Sequence, residues 1–127
     1  IMSTKEIKFQ RCTILHKEGS PGACLYYTYN KGLKAYFINS LAANNTVSDK
    51  IALADIFTYF LKEIVTDMDV YIAPFDYLLK HPIVDDFVTD EKIEYEGKTI
   101  FKLRKYDDDV AESVVQYIEA QKLKEVA

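Results

Sequence analysis

The sequence predicts an α+β domain in which helices flank a mixed, mainly antiparallel sheet. Three observations carry this. Short runs of alternating apolar residues recur along the chain. One longer stretch places Leu53, Ile56, Phe57, Phe60 and Ile64 at helical spacing. Turn residues, rather than a linker or low-complexity tract, separate the runs, so residues 1–127 read as a single domain of ordinary size. The elements follow the order β-ββ-α-β-α-ββ-α.

Residues 6–15 read as the first strand, with Ile7 and Phe9 alternating and a slip near Arg11 that suggests a bulge or an edge position. Residues 18–22, Glu-Gly-Ser-Pro-Gly, form a loop. Residues 23–29 and 33–41 make a hairpin around Asn30-Lys31-Gly32, where Gly32 is expected to supply a positive φ. Leu25, Tyr27 and Tyr29 share a face of its first arm, and Ala35, Phe37 and Leu41 a face of its second.

Ser48 is the expected cap of the main helix, with Asp49 in its first turn favoured by the helix dipole. Residues 67–73 hold a short buried strand around Val70-Tyr71-Ile72, closed by Pro74. A two-turn helix over 75–81 follows, limited by Pro82. Residues 92–104 form a second hairpin. A three-residue loop, Glu96-Gly97-Lys98, would align Ile93, Tyr95, Thr99, Phe101 and Leu103 on one face. Asp107-Asp108-Asp109 then opens a last helix with Val110, Val114, Tyr117 and Ile118 inward.

Composition narrows the function. A net charge of −4, with only Lys102, Arg104 and Lys105 clustered, gives no basic footprint, so a nucleic-acid partner is not expected. No apolar run approaches bilayer length, and no basic-then-apolar leader opens the chain. A cytoplasmic location without membrane contact is the expectation, with Cys12 and Cys24 as reduced thiols. His16 and His81 lack neighbours at metal-ligand spacing, and Asp85, Asp86, Asp90 and Glu91 lack the pattern of a calcium loop. No metal is therefore expected. Neither Gly-x-Ser-x-Gly nor a phosphate-binding Gly-x-x-x-x-Gly-Lys occurs.

One series of segments goes further. Residues 34–41, the helix from Ser48, Val70-Tyr71-Ile72, the helix from Phe75 and residues 92–104 follow one another as strand, helix, strand, shorter helix and hairpin. Tyr77-Leu78-Leu79-Lys80 leads on to Asp86-Phe87 and then to the basic residues that close 98–105. Over residues 23–105 the chain thereby resembles a degenerate GCN5-related N-acetyltransferase (GNAT).

The resemblance implies a GNAT-like fold, acetyl-CoA as cofactor, and a loop at 44–50 that holds it through Asn44, Asn45, Thr46, Ser48, Lys50 and Ala52. It implies Tyr77 as general acid for the leaving thiolate. Glu63 or Asp76 is the candidate base. The chain departs from the family's Gln/Arg-x-x-Gly-x-Gly/Ala loop at Asp49-Lys50-Ile51-Ala52-Leu53-Ala54. Ala52 stands where the key glycine belongs. Asp49 stands where a basic or amide residue belongs, and would repel a pyrophosphate by roughly a few kcal/mol unless Lys50 offsets it.

Two functions follow. One is an acyl-CoA N-acyltransferase-like domain. The other is a non-catalytic module on a similar α+β scaffold that grips a protein partner through its tyrosine-rich sheet or an edge strand, the chain having ten tyrosines.

Overall fold

The computed structural model describes residues 4–8, 13–18, 22–73 and 81–126. Its strands are β1 (Thr4–Lys8), β2 (Thr13–Lys17), β3 (Ala23–Asn30), β4 (Ala35–Ala43), β5 (Asp69–Ile72), β6 (Val88–Tyr95) and β7 (Lys98–Leu103). They form one sheet in the order β1-β2-β3-β4-β5-β7-β6, in which β4 and β5 alone run parallel. The helices are α1 (Val47–Tyr59), which runs into a π-helical segment (Phe60–Val65), then α2 (Pro82–Phe87) and α3 (Asp108–Val126).

Alternation gives the sheet an inner and an outer face. Leu15, Leu25, Ile38, Leu41, Val70 and Ile72 point inward. They meet Leu53, Ile56 and Phe57 of α1 and Val110 and Val114 of α3 in one core. Phe57 stacks on Phe87 of α2, with ring centroids 5.0 Å apart and planes 7° from parallel. Lys17 of β2 pairs with Asp55, tying that strand to α1. The described helices all join this inner core. No described helix packs on the outer face.

Several expectations change. In place of one strand over residues 6–15 there are two, β1 and β2, paired antiparallel with Lys8 opposite Thr13, and Arg11, where a slip is expected, lies outside the described residues. In the first hairpin the positive φ falls on Lys34 (52°), not Gly32. Asn30 Oδ1 accepts from Leu33 N at 2.9 Å and holds the turn.

The register there shifts so that Tyr26 faces Ser40 and Tyr27 faces Ile38. The extra residue, Asn39, reverses the alternation of β4. Leu41 and Ile38 therefore face the core, while Phe37 turns outward to meet Tyr71 and Tyr95.

The main helix is capped by Thr46, whose Oγ1 accepts from Asp49 N at 3.1 Å, rather than by Ser48. Further along, the widened π turn buries Phe60 and Val65, five residues apart, in place of the expected Phe60 and Ile64. Pro82 starts a helix, where its fixed φ and missing N–H cost nothing. The helix expected over 75–81 falls on residues outside the described set, apart from His81.

The last hairpin has a two-residue loop. Tyr95 faces Lys98, and Glu96 and Gly97 both take positive φ (50° and 78°), as a type I′ turn requires. Asp107 Oδ1 accepts from Val110 N at 2.8 Å, so α3 opens on an acidic cap as its sequence implies.

Candidate functional site

The site grows out of the place where β4 and β5 part. The two strands pair from Ala35 opposite Asp69 to Ile38 opposite Ile72. There β5 ends, while β4 continues to Ala43. Beyond Ile38, β4 keeps its partner β3 but shows no strand partner on its other side among the described residues. A cavity opens at each end of this run, one on each face of the sheet.

The inner-face cavity, about 320 Å³, lies at the N-terminus of α1. Ala43, Asn44 and Asn45 form one wall, Lys50 projects from the first turns of α1, and His81 with Pro82 and Tyr117 closes the other side. Helix N-termini present unpaired N–H groups and a positive dipole end, both of which favour an anion. Lys50 adds a full charge. Burial, and then the charge of Lys50, hold the His81 imidazole below its ordinary pKa of 6.5. Burial, and then Asp86, push the Tyr117 phenol up.

Asp49 sits differently from its expected role. It is only 9% exposed and packs against Gly22 at the entry to β3, and it is not among the residues that line the cavity. A Cβ built on Gly22 would fall 2.8 Å from Asp49 Cγ and closer still to Asn44 Nδ2. Gly22 O also accepts from Asn44 N at 2.9 Å. Glycine is thus what lets the carboxylate turn in, away from the cavity, while the backbone pins the loop.

The outer-face cavity, about 420 Å³, lies under the β6–β7 hairpin. β7 pairs with β5 only through Tyr71–Lys102 and Ile72–Phe101. The hairpin tip then crosses the sheet. The Tyr95 ring lies 5.7 Å from Phe37 of β4, and its hydroxyl accepts from Asn30 Nδ2 at 3.1 Å. Ile38 and Asn39 of β4, Ala73 after β5, and Glu96, Lys98 and Ile100 of the hairpin complete the walls.

The expected cofactor residues divide. Asn44, Asn45 and Lys50 come together on the inner cavity. Thr46 and Ser48 are exposed at the helix start, their hydroxyls 3.4 Å apart, and Thr46 is committed to the cap. Ala52 is buried in the core, one turn further on. Glu63 is exposed in the π segment, sixteen residues past Val47 and about four helical turns from the cavity, so it does not join these residues. Tyr77 and Asp76 lie outside the described residues.

His81, Pro82, Tyr117 and Gly22 were not legible as site residues. Only the inward stripe of α3 hinted at Tyr117. Among the described residues there is no cluster of three or more His, Cys, Asp or Glu placed to hold a metal. No described helix is long and apolar enough to cross a membrane. Comparison with protein-family models, with curated proteins and with solved structures returns no match for this chain.

Proposed function

We propose that the chain is an acyl-CoA-binding domain of the N-acyltransferase kind, with a GNAT-like arrangement from β3 to β7. The observation that carries the reading is the separation of β4 from β5 after Ile38 and Ile72, with a cavity at each end of the unpaired run. The diphosphate of the cofactor sits at the start of α1 beside Asn44, Asn45 and Lys50. Its pantetheine amides lie along β4, where backbone N–H and C=O groups beyond Ile38 serve as a strand edge does for an added peptide. The thioester then reaches Asn39 and the outer cavity.

Acyl transfer there forms a bond from an amine nitrogen to the thioester carbon and breaks the carbon–sulfur bond. The amine releases one proton and the thiolate takes up one. Tyr77, which follows β5 in sequence, is the donor we assign to the thiolate. Acetyl-CoA is the cofactor of this reading, and no metal takes part in it.

Differential scanning with millimolar acetyl-CoA, and separately with free CoA, tests this. A ligand at a hundred times its dissociation constant stabilises the fold by about 2.7 kcal/mol. In a domain of this size that raises the midpoint by several degrees. Lys50→Ala should remove most of the rise. No rise with either ligand would sink the proposal.

A second reading, a protein-binding module, has one observation in its favour. The outer face carries Ile7, 42% exposed, beside half-buried Ile14 and Tyr26. A native protein that bound no hydrophobic dye would count against it.

A further inference from the structure

The outer-face cavity has its own chemistry, distinct from the anion site on the inner face. Its volume lies at the small end of the roughly 300–1,000 Å³ typical of small-molecule pockets. That suits a ligand of amino-acid size better than a peptide or a nucleotide. One part of it is apolar: Phe37 and Tyr95 meet edge to face at 84°, next to Ile38, Ala73 and Ile100. A flat or branched apolar group packs well in such a slot.

The other part is polar and carries two opposite charges. Glu96 and Lys98 flank Gly97 at the hairpin tip and both face the cavity. Neither is ion-paired among the described residues. They do not face each other as a cross-strand pair, because the type I′ turn sets Lys98 opposite Tyr95.

Hydrogen bonds fix the remaining polar groups. Tyr95 Oη accepts from Asn30 Nδ2, which leaves its own proton to donate. Asn39 Nδ2 donates to Thr28 Oγ1 at 3.1 Å, which leaves its carbonyl oxygen as an acceptor. The cavity is thus lined by two acceptors, Glu96 and Asn39, and two donors, Lys98 and Tyr95. A ligand with only one charge would leave one of the two ions without a partner.

We propose that this cavity binds a free α-amino acid with an aromatic or branched apolar side chain. Its ammonium lies at Glu96 and Asn39, its carboxylate at Lys98 and Tyr95, and its side chain against Phe37 and Ile100. Binding itself does not depend on the acyl-CoA reading. Its role as the amine that receives the acyl group does, and Asn39 lies on the β4 edge where that reading brings the thioester.

Titration calorimetry on the whole chain, without CoA, tests it with L-phenylalanine, L-leucine, 2-phenylethylamine and 3-phenylpropionate. The amino acids should bind at least about tenfold more tightly than either singly charged analogue, the loss expected from one charged hydrogen-bonding partner. Lys98→Ala should bring phenylethylamine level with phenylalanine. Glu96→Gln should do the same for phenylpropionate. Both positions are exposed, and an unchanged thermal midpoint in each variant shows that the fold is intact.

Binding of none of the four, or equal binding of all, overturns the proposal. So does discrimination that survives both substitutions. Phenylalanine binding without a CoA-induced midpoint rise would leave this site standing while the acyl-CoA reading falls. A CoA rise without phenylalanine binding would do the reverse.

Discussion

At Asp69, the first residue of β5, lysines arrive from two directions. Lys105 Nζ lies 3.0 Å from its carboxylate and also donates to Asp67 O at 2.8 Å. Lys102 Nζ lies 3.5 Å from it, and 3.4 Å from Glu91. The hydrogen bond from Lys105 is the main cause that holds the Asp69 carboxyl below its ordinary 3.8. A depressed carboxylate pKa stabilises the fold fully above the unfolded value and loses that contribution as pH falls through the folded one. The side chain is 43% exposed, so solvent screens the pairs and the network stabilises the fold only modestly. Asp69→Asn should therefore lower the urea midpoint at pH 7 and leave it unchanged well below pH 3.8. A deficit that persisted in acid would assign the effect to packing instead. The neighbouring residue-scale lesson is Gly22, which reads in the sequence as an ordinary loop glycine. Its value lies in what touches it, Asn44 and Asp49 from twenty-odd residues away, and no local pattern encodes that.

Elements were legible where one local force decides them, and misread where two compete. The apolar stripe of α1, the acidic start of α3 and the β3–β4 hairpin follow from period and turn or cap residues. The cap of α1 did not, because Thr46 and Ser48 are both good caps and only the backbone at Thr46 (φ −95°, ψ 154°) takes the extended form a cap needs. The last hairpin departs from its expected register because turn chemistry outranks a uniform apolar face. The Glu96-Gly97 turn won, and Lys98 and Lys102 share their face with Tyr95 and Tyr71 because that face is open. In the same way, the extra residue at Asn39 reassigned Phe37 from the core to the outer cavity. One element carries a defect that can be tested. Gln121 of α3 is 4% exposed, and its Oε1 has no hydrogen-bond partner among the described residues. A buried unsatisfied acceptor costs about 1–3 kcal/mol, whereas an apolar group of similar shape carries no such penalty. Gln121→Leu should raise the thermal midpoint, and a lower midpoint would mean that the amide has a partner in solution.

For the molecule as a whole, the α+β class and the single mostly antiparallel sheet were readable, whereas the candidate site was readable only in part. Asn44, Asn45 and Lys50 fall at the loop and first turn of α1, where the family resemblance implied a cofactor loop. His81 and Tyr117 reach the same cavity from α2's entry and from α3, brought there by tertiary packing. The outer cavity arises from a hairpin folding across the sheet, a long-range event that no single segment announces.

The short seam between β4 and β5 also divides the sheet into two sets of strands, β1–β4 on one side and β5, β7 and β6 on the other. Among the described residues, only four residue pairs join them within the sheet. Such a line is where a protein breathes, because local opening follows the weakest run of backbone bonds. In deuterated buffer, alternate amides over residues 39–43 should exchange faster than those over 35–38, and CoA should slow them selectively. Uniform exchange along β4 would mean that the two halves are held as one rigid plate, with no line along which a cofactor enters.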